Sequence, residues 1–285
     1  MTLLTIRHFT DPGCPWAFSS EPKRLRLAWL FGDQLRWEHH MVVLTERPED
    51  NEAKGVTPES LVASFGSMQR RFGMPIDNIE RPHVLVSVAS CRAVVAARLG
   101  WPEREAALLR ALRVRYFAGE MIDDPAAVAA AAESVGLDPH ALRLRSEDTD
   151  VEQALRADMA AARNPSPAAL ALDHRLADAV PGHTEGRRYT CPSLEIETTR
   201  GGRFDVPGFQ PWETYETALA NLAPELERRP PPESVEAALA WAGEPLATAE
   251  VAALCELRAG DARQELARVA DEHPIGPDGY WTLRG

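Results

Sequence analysis

The chain has 285 residues, 45% of them hydrophobic and 26% charged, with a formal net charge of −12. That length suffices for one large or two smaller globular domains. No apolar run reaches the ~20 residues of a membrane span, no secretory leader is visible, and the acidic balance argues against a broad nucleic-acid surface. A soluble cytoplasmic protein is therefore expected, with neither membrane nor nucleic-acid partners.

In chain order, Leu3–Phe9 is a short apolar run that predicts a buried strand, and Ser19–Phe31 predicts a helix. A second run, Leu35–Leu44, completes a β-α-β pattern whose right-handed crossover makes the two strands parallel neighbours. Thr57 and Ser60 suit the start of a helix running to about Phe72, and Val84–Leu99 is alanine- and valine-rich. Between Pro102 and Phe117, Leu108, Leu112 and Tyr116 recur at steps of four, one face of a helix. Asp124 caps a further helix that Gly136 closes, and Val151–Arg163 predicts another.

Residues 164–188 read as a connection with one short helix around Ala168–Ala179. Strand character returns at Ser193–Thr198, turns at Arg200–Arg203 and comes back through Phe204–Val206, before a helix over Pro211–Leu222. Arg228–Pro232 is a stiff linker. Beyond it, Ser234–Trp241, Thr248–Leu257 and Asp261–Ala270 predict three short helices, and His273–Leu283 a hairpin. This pattern resembles a winged helix-turn-helix module. From Glu233 to Gly285, however, ten acidic residues face four arginines and no lysine, and such a surface repels DNA phosphates. Packing or dimerisation, including homo-oligomer formation, suits the segment better.

The stretch Asp11-Pro12-Gly13-Cys14-Pro15-Trp16-Ala17-Phe18 carries the chemistry. A cysteine where a strand hands over to a helix faces free N–H groups and the positive end of the helix dipole. Such placement lowers a thiol pKa from about 8.5 into the range of about 3.5–7.5. Pro15 suits the first helical turn, where its missing N–H costs nothing. His8, on the strand before Cys14, is a candidate for raising the thiolate fraction; His39 and His40 alternate to opposite strand faces and cannot both serve one site. Ser19 and Ser20 read as surface helix residues, and Cys91 and Cys255 as core. No His/Cys spacing specifies zinc, and the four scattered cysteines suggest no disulfide framework.

Asp-x-x-Cys-Pro-Trp-x-Phe resembles the active-site opening of the DsbA-like thioredoxin superfamily. The FrnE-like oxidoreductases are the nearest branch; 2-hydroxychromene-2-carboxylate isomerases and kappa-class glutathione transferases are relatives. The resemblance covers roughly residues 1–225 and implies an α/β thioredoxin-like fold, here 1–227, with a helical insertion at about 57–163; the separately read winged-helix-like module follows at 233–285. It departs at Ala17, where the family carries a second cysteine. It also implies that Pro192, in Thr190-Cys191-Pro192-Ser193, is the cis-proline facing the first active-site residue, which brings Cys191 beside Cys14. Cys14, Pro15, Trp16, Cys191 and Pro192 are thus the candidate catalytic residues. Cys14, Trp16, Cys191, Pro192 and Ser193 are the candidate contacts for glutathione, the one cofactor the resemblance admits.

Three readings follow. In the first, Cys14 is a thiol-disulfide oxidoreductase nucleophile, resolved by glutathione or by Cys191, acting on a protein thiol or disulfide or a glutathione-linked small molecule. In the second, Cys14 binds glutathione for isomerisation or transfer. In the third, the site is a relic and the fold serves binding; taken alone, Cys191 reads as a small buried residue.

Overall fold

The computed structural model describes residues 2–180 and 186–284. β1 (Leu4–Thr10) leads through the Cys14 turn into a five-residue helix, α1 (Pro15–Ser19), and then into α2 (Glu21–Phe31). The single predicted helix is therefore two, broken at Ser20, whose hydroxyl donates to the Ala17 carbonyl at 2.7 Å. Ser19 and Ser20, expected at the surface, are both buried, Ser20 because the break folds its hydroxyl back onto the Ala17 carbonyl.

β2 (Leu35–Met41) pairs parallel with β1, as the crossover rule requires. β5 (Ser193–Thr198) flanks β1 on the other side, antiparallel, and β6 (Arg203–Val206) pairs with β5, so the four-stranded sheet runs β2-β1-β5-β6. On one face Leu4 and Ile6 of β1 pack with Leu27, Leu194, Ile196, Tyr215 and Leu219, joining α2 and α11 (Trp212–Leu222) to the sheet. Alternation sends Phe9 to the other face, stacked on Tyr189 at 4.3 Å.

Between β2 and β5 lie α3 (Pro48–Ala53), α4 (Pro58–Phe72), α5 (Val88–Gly100), α6 (Glu105–Phe117), α7 (Pro125–Ser134), α8 (Pro139–Ser146), α9 (Thr149–Ala162) and α10 (Pro167–Leu170). Thr57 caps α4 through the Ser60 N–H at 3.2 Å, and Asp124 caps α7 through the Ala126 N–H at 2.9 Å. These helices enclose a core in which Val94, Leu108, Leu112, Phe117 and Val151 are fully buried. Each such side chain stabilises the fold by about 1.5–3 kcal/mol. The short helix expected over Ala168–Ala179 ends at Leu170. The chain instead forms β3 (Leu176–Asp178), paired with β4 (Arg187–Tyr189), because Leu176 packs against the cluster that contains Tyr189. Residues 181–185 of the expected connection lie outside the described residues.

The C-terminal segment comprises α12 (Val235–Ala242), β7 (Leu246–Ala247), α13 (Thr248–Leu254), α14 (Ala259–Val269), β8 (Ala270–Ile275) and β9 (Asp278–Leu283), its strands ordered β7-β9-β8. It is packed firmly in place. Leu25 and Trp29 of α2 share its core with Val235, Leu239, Val251, Leu254, Leu266 and Trp281. α2 is thereby held between the sheet and this module.

Candidate active site

Cys14 is the residue before α1, with φ −80° and ψ 115°, and Pro15 opens the helix. Gly13 precedes it because a Cβ there would lie 2.3 Å from Leu85 Cδ2. The loop is organised by Asp11, which is fully buried. One carboxylate oxygen accepts the Gly13 N–H (2.8 Å). The other accepts the Leu44 N–H (2.9 Å), the Ser87 hydroxyl (2.7 Å) and the Cys91 thiol (3.4 Å). Val43 holds a left-handed φ of 53°, unusual for a β-branched residue, and this turn aims the Leu44 N–H at Asp11. Asp11 opens the sequence motif three positions before the thiol, but its bracing of the loop through Leu44, Ser87 and Cys91 is visible only in the fold.

The Cys191–Pro192 peptide bond is cis. Its loop places the Cys191 carbonyl 3.4 Å from Cys14 Sγ. Cys14, Ala17 and Cys191 share one buried cluster with Phe9, Val42, Ala162 and Tyr189, and both cysteines are free thiols. The position where a second motif cysteine would stand, Ala17, is fully buried against this cluster.

The two thiols differ in acidity. Desolvation pushes Cys14 up, but the Cys191 thiol and the N–H groups of Ala17 and Trp16 outweigh it, and the net displacement is downward. Neither N–H closes a capping bond on the neutral thiol; as a thiol Cys14 donates to the Cys191 carbonyl, and the amides serve the anion. Burial, then the hydrogen bond and charge of Cys14, hold Cys191 well above the ordinary thiol range. Cys14 therefore ionises first. Because α1 has only five residues, these local donors replace the extended dipole expected from a long helix.

His8 does not supply the expected cation. Burial, then His39 and Arg113, drive its pKa well below the usual value, so it is neutral. A buried cation nearby is Arg113, donating to Glu21 Oε1 at 2.5 Å and to Thr10 Oγ1, and electrostatically coupled to Cys14 and Cys191; Arg163 and Arg188 also act on Cys191.

Trp16 is 41% exposed. It stands edge-on to Phe72 at 5.6 Å and to Phe209 at 5.5 Å, bridging α4 and the loop before α11. Ser193, expected as a glutathione contact, is buried; its hydroxyl donates to the Thr190 carbonyl (2.6 Å) and accepts the Gly208 N–H (2.9 Å). Its side chain positions the cis-proline loop, and its one O–H is already committed to the Thr190 carbonyl. Beside Cys14, a cleft of about 200 Å³ is lined by Asp11, Gly13, Pro15, Lys54 and Arg188 among others.

No family model matches the chain, and no curated protein matches it in sequence. Solved structures do match. A candidate protein disulfide isomerase from Nitrosomonas europaea superposes with a TM-score of 0.58 at 17% identity, over 77% of this chain and 97% of its own. This chain has the DsbA-like thioredoxin fold. A probable DsbA oxidoreductase from Streptomyces coelicolor (TM-score 0.52, 19% identity) covers 80% of this chain and 92% of its own. The cytosolic disulfide reductase DsbM from Pseudomonas aeruginosa, solved with GSH, matches with a TM-score of 0.51 at 18% identity, over 76% of this chain and all of its own. In this DsbA-like frame, Cys14 occupies the helix-leading position and Cys191 flanks the cis-proline. Among the described residues, no helix is long and apolar enough to cross a membrane, and no group of three metal-ligating side chains is assembled.

Proposed function

We propose that the protein is a thiol-disulfide oxidoreductase of the DsbA/FrnE-like type, in which Cys14 is the nucleophile and Cys191 the resolving thiol. One observation carries this reading: two free thiols meet beside a cis-proline, one acidified at the other's expense.

The Cys14 thiolate attacks one sulfur of a disulfide RSSR, forming Cys14–S–SR and expelling RS⁻, which takes a proton from solvent. The mixed disulfide removes the Cys14 charge and its hydrogen bond, two of the causes that keep Cys191 protonated. Arg188 favours the Cys191 anion that results. Cys191 loses its proton to solvent and attacks Cys14 Sγ; the second RS⁻ leaves, and a Cys14–Cys191 disulfide remains. The chain has lost two electrons, and RSSR has become two RSH. Two equivalents of a small thiol reverse both steps.

Glutathione is the small thiol we assign to this cycle. The cleft of about 200 Å³ lined by Gly13 and Pro15, on either side of the buried Cys14, has the scale of a small molecule. Lys54, Arg163 and Arg188 also surround the thiols with positive charge suited to glutathione carboxylates. They are anchored to the carbonyls of Leu44, Val42 and Tyr189, and none has a carboxylate partner among the described residues. A cytoplasmic setting, where glutathione is abundant, accords with this reading.

The test is thiol release from glutathione disulfide. The native chain should release two thiols per molecule, Cys191→Ala one, and Cys14→Ser none. No release from the native chain contradicts the proposal.

A further inference from the structure

A buried row of charges joins the C-terminal module to the residues that lead into Cys14. Arg110 and Arg113 stand three positions apart on one face of α6. Arg113 donates to Glu21 Oε1 at 2.5 Å, and Arg24 donates to Glu21 Oε2 at 2.8 and 2.9 Å. Arg110 Nη1 lies between two carboxylates, 2.6 Å from Glu250 Oε1 and 3.9 Å from Glu21 Oε2. Its Nη2 donates to the other Glu250 oxygen, its Nε meets Glu244 at 3.1 Å, and the Tyr280 ring faces the guanidinium at 5.7 Å. Glu21, Arg110, Arg113 and Glu250 are all buried.

The row sets three cations, Arg24, Arg110 and Arg113, against three carboxylates, Glu21, Glu244 and Glu250. Two of those carboxylates belong to the appended module. Alone, α2 and α6 would leave three arginines with one glutamate, in an interior where charges act strongly on one another. Arg113 is the member next to the active loop. It donates to Thr10 Oγ1 at the end of β1, four residues before Cys14, and its charge is felt by Cys14 and Cys191. Asp11 and the Cys191 thiol also bear on Cys14; His8, which faces Arg113, Arg24, Glu21 and His39, is neutral.

We infer that Glu250 is a positioning residue for the Cys14 reaction proposed above: by holding Arg110 off Glu21, it leaves the Glu21 carboxylate to Arg113 and limits the positive field at the thiol. The inference rests on Cys14 being the nucleophile. Without the Glu250 charge, Arg110 draws on Glu21, Arg113 is less fully compensated, and the Cys14 thiolate gains. The lost negative charge acts directly in the same sense. The module is thus a restraint on the acidity of Cys14.

The full chain, alkylated with iodoacetamide over a pH series with the Cys14 peptide quantified by mass spectrometry, tests this. Glu250→Gln keeps an acceptor oxygen for the Ala247 N–H or Arg110 and removes the charge. It should lower the Cys14 midpoint by about 0.5 unit, a roughly threefold rise in the thiolate-to-thiol ratio. Glu244→Gln, at a partly exposed position, should shift it the same way. Arg110→Met with Glu250→Leu removes one charge of each sign and should return the midpoint to the native value. An unchanged midpoint in Glu250→Gln overturns the inference even where thermal denaturation shows lost stability, and where that variant does not fold, an unchanged midpoint in Glu244→Gln does so. A midpoint lowered as far in the double variant as in Glu250→Gln also overturns it. These differences are read whether or not Cys191 resolves a disulfide, so a failed redox cycle shows separately, as no thiol release from glutathione disulfide.

Discussion

Cys14 and Cys191 are 177 positions apart in sequence, yet the carbonyl of one lies 3.4 Å from the sulfur of the other. The contact arises because β1 and β5 are antiparallel neighbours, with Phe9 opposite Ser193, so the loops leaving β1 and entering β5 share one end of the sheet. The first consequence is a pH dependence. The Cys14 thiolate is stabilised by the Cys191 thiol and by the Ala17 and Trp16 amides against the cost of burial. Its iodoacetamide alkylation should therefore titrate below the ordinary thiol range of about 8.5. Cys191→Ala should move the midpoint up, whereas an unchanged midpoint would separate the two thiols functionally.

Asp11 makes an opposing contribution. Its carboxylate organises the loop and raises the Cys14 pKa. Asp11→Asn should therefore lower the alkylation midpoint while destabilising the fold by about 1–3 kcal/mol, since a buried acceptor for several donors is altered. Asp11→Ala should cost more. Thermal denaturation and the alkylation profile measure the two effects separately.

The module is anchored by a buried pair. Arg110 of α6 donates to both Glu250 carboxylate oxygens, at 2.6 and 2.8 Å, and to the Pro245 carbonyl at 2.8 Å. Glu250→Ala removes the bidentate partner of a buried cation, leaving it Glu244 at 3.1 Å, and should destabilise by about 3 kcal/mol. Arg110→Met with Glu250→Leu should recover most of that loss, because a buried pair exchanged for apolar groups is often neutral. Urea denaturation of the two variants gives the comparison.

Glu21 predicts the response to acid. Burial raises its pKa, but Arg24, Arg113 and Arg110 outweigh that and hold it well below the usual carboxylate range. A depressed folded-state pKa means that the unfolded chain binds the proton more readily. The Glu21 contribution is complete above the unfolded value of about 4.3 and is lost as pH falls below it. Glu21→Gln should flatten the fall in stability measured between pH 5 and pH 2 at about one fewer titrating proton.

The sheet and most helices were legible because their signals are local. Thr57 with Ser60, Asp124 with Pro125, and the 4-step row Leu108, Leu112, Tyr116 each fix a cap or a buried face. The helix at Pro139 goes beyond the expected elements, although Asp138-Pro139 repeats the Asp124-Pro125 start, and Asp138 caps it through the His140 N–H at 3.0 Å. At the site, Cys14, Trp16 and the Cys191-Pro192 loop were legible from the motif and the family resemblance. The bracing by Asp11, the Arg113 contacts and the burial of Ser19 were not. They depend on partners 76 to 103 positions away, or on a helix break at Ser20 whose local signal is Pro22 in the first turn of α2. The loss of a charged role for His8 likewise follows from tertiary burial.

The most direct measurement is peptide mass spectrometry of the full chain after equilibration with glutathione disulfide and rapid alkylation. A Cys14–Cys191 linked peptide as the main oxidised product, replaced by a stable glutathione adduct on Cys14 in Cys191→Ala, is the predicted result. A native chain that carries only the glutathione adduct, with Cys191 alkylated throughout, would contradict the account.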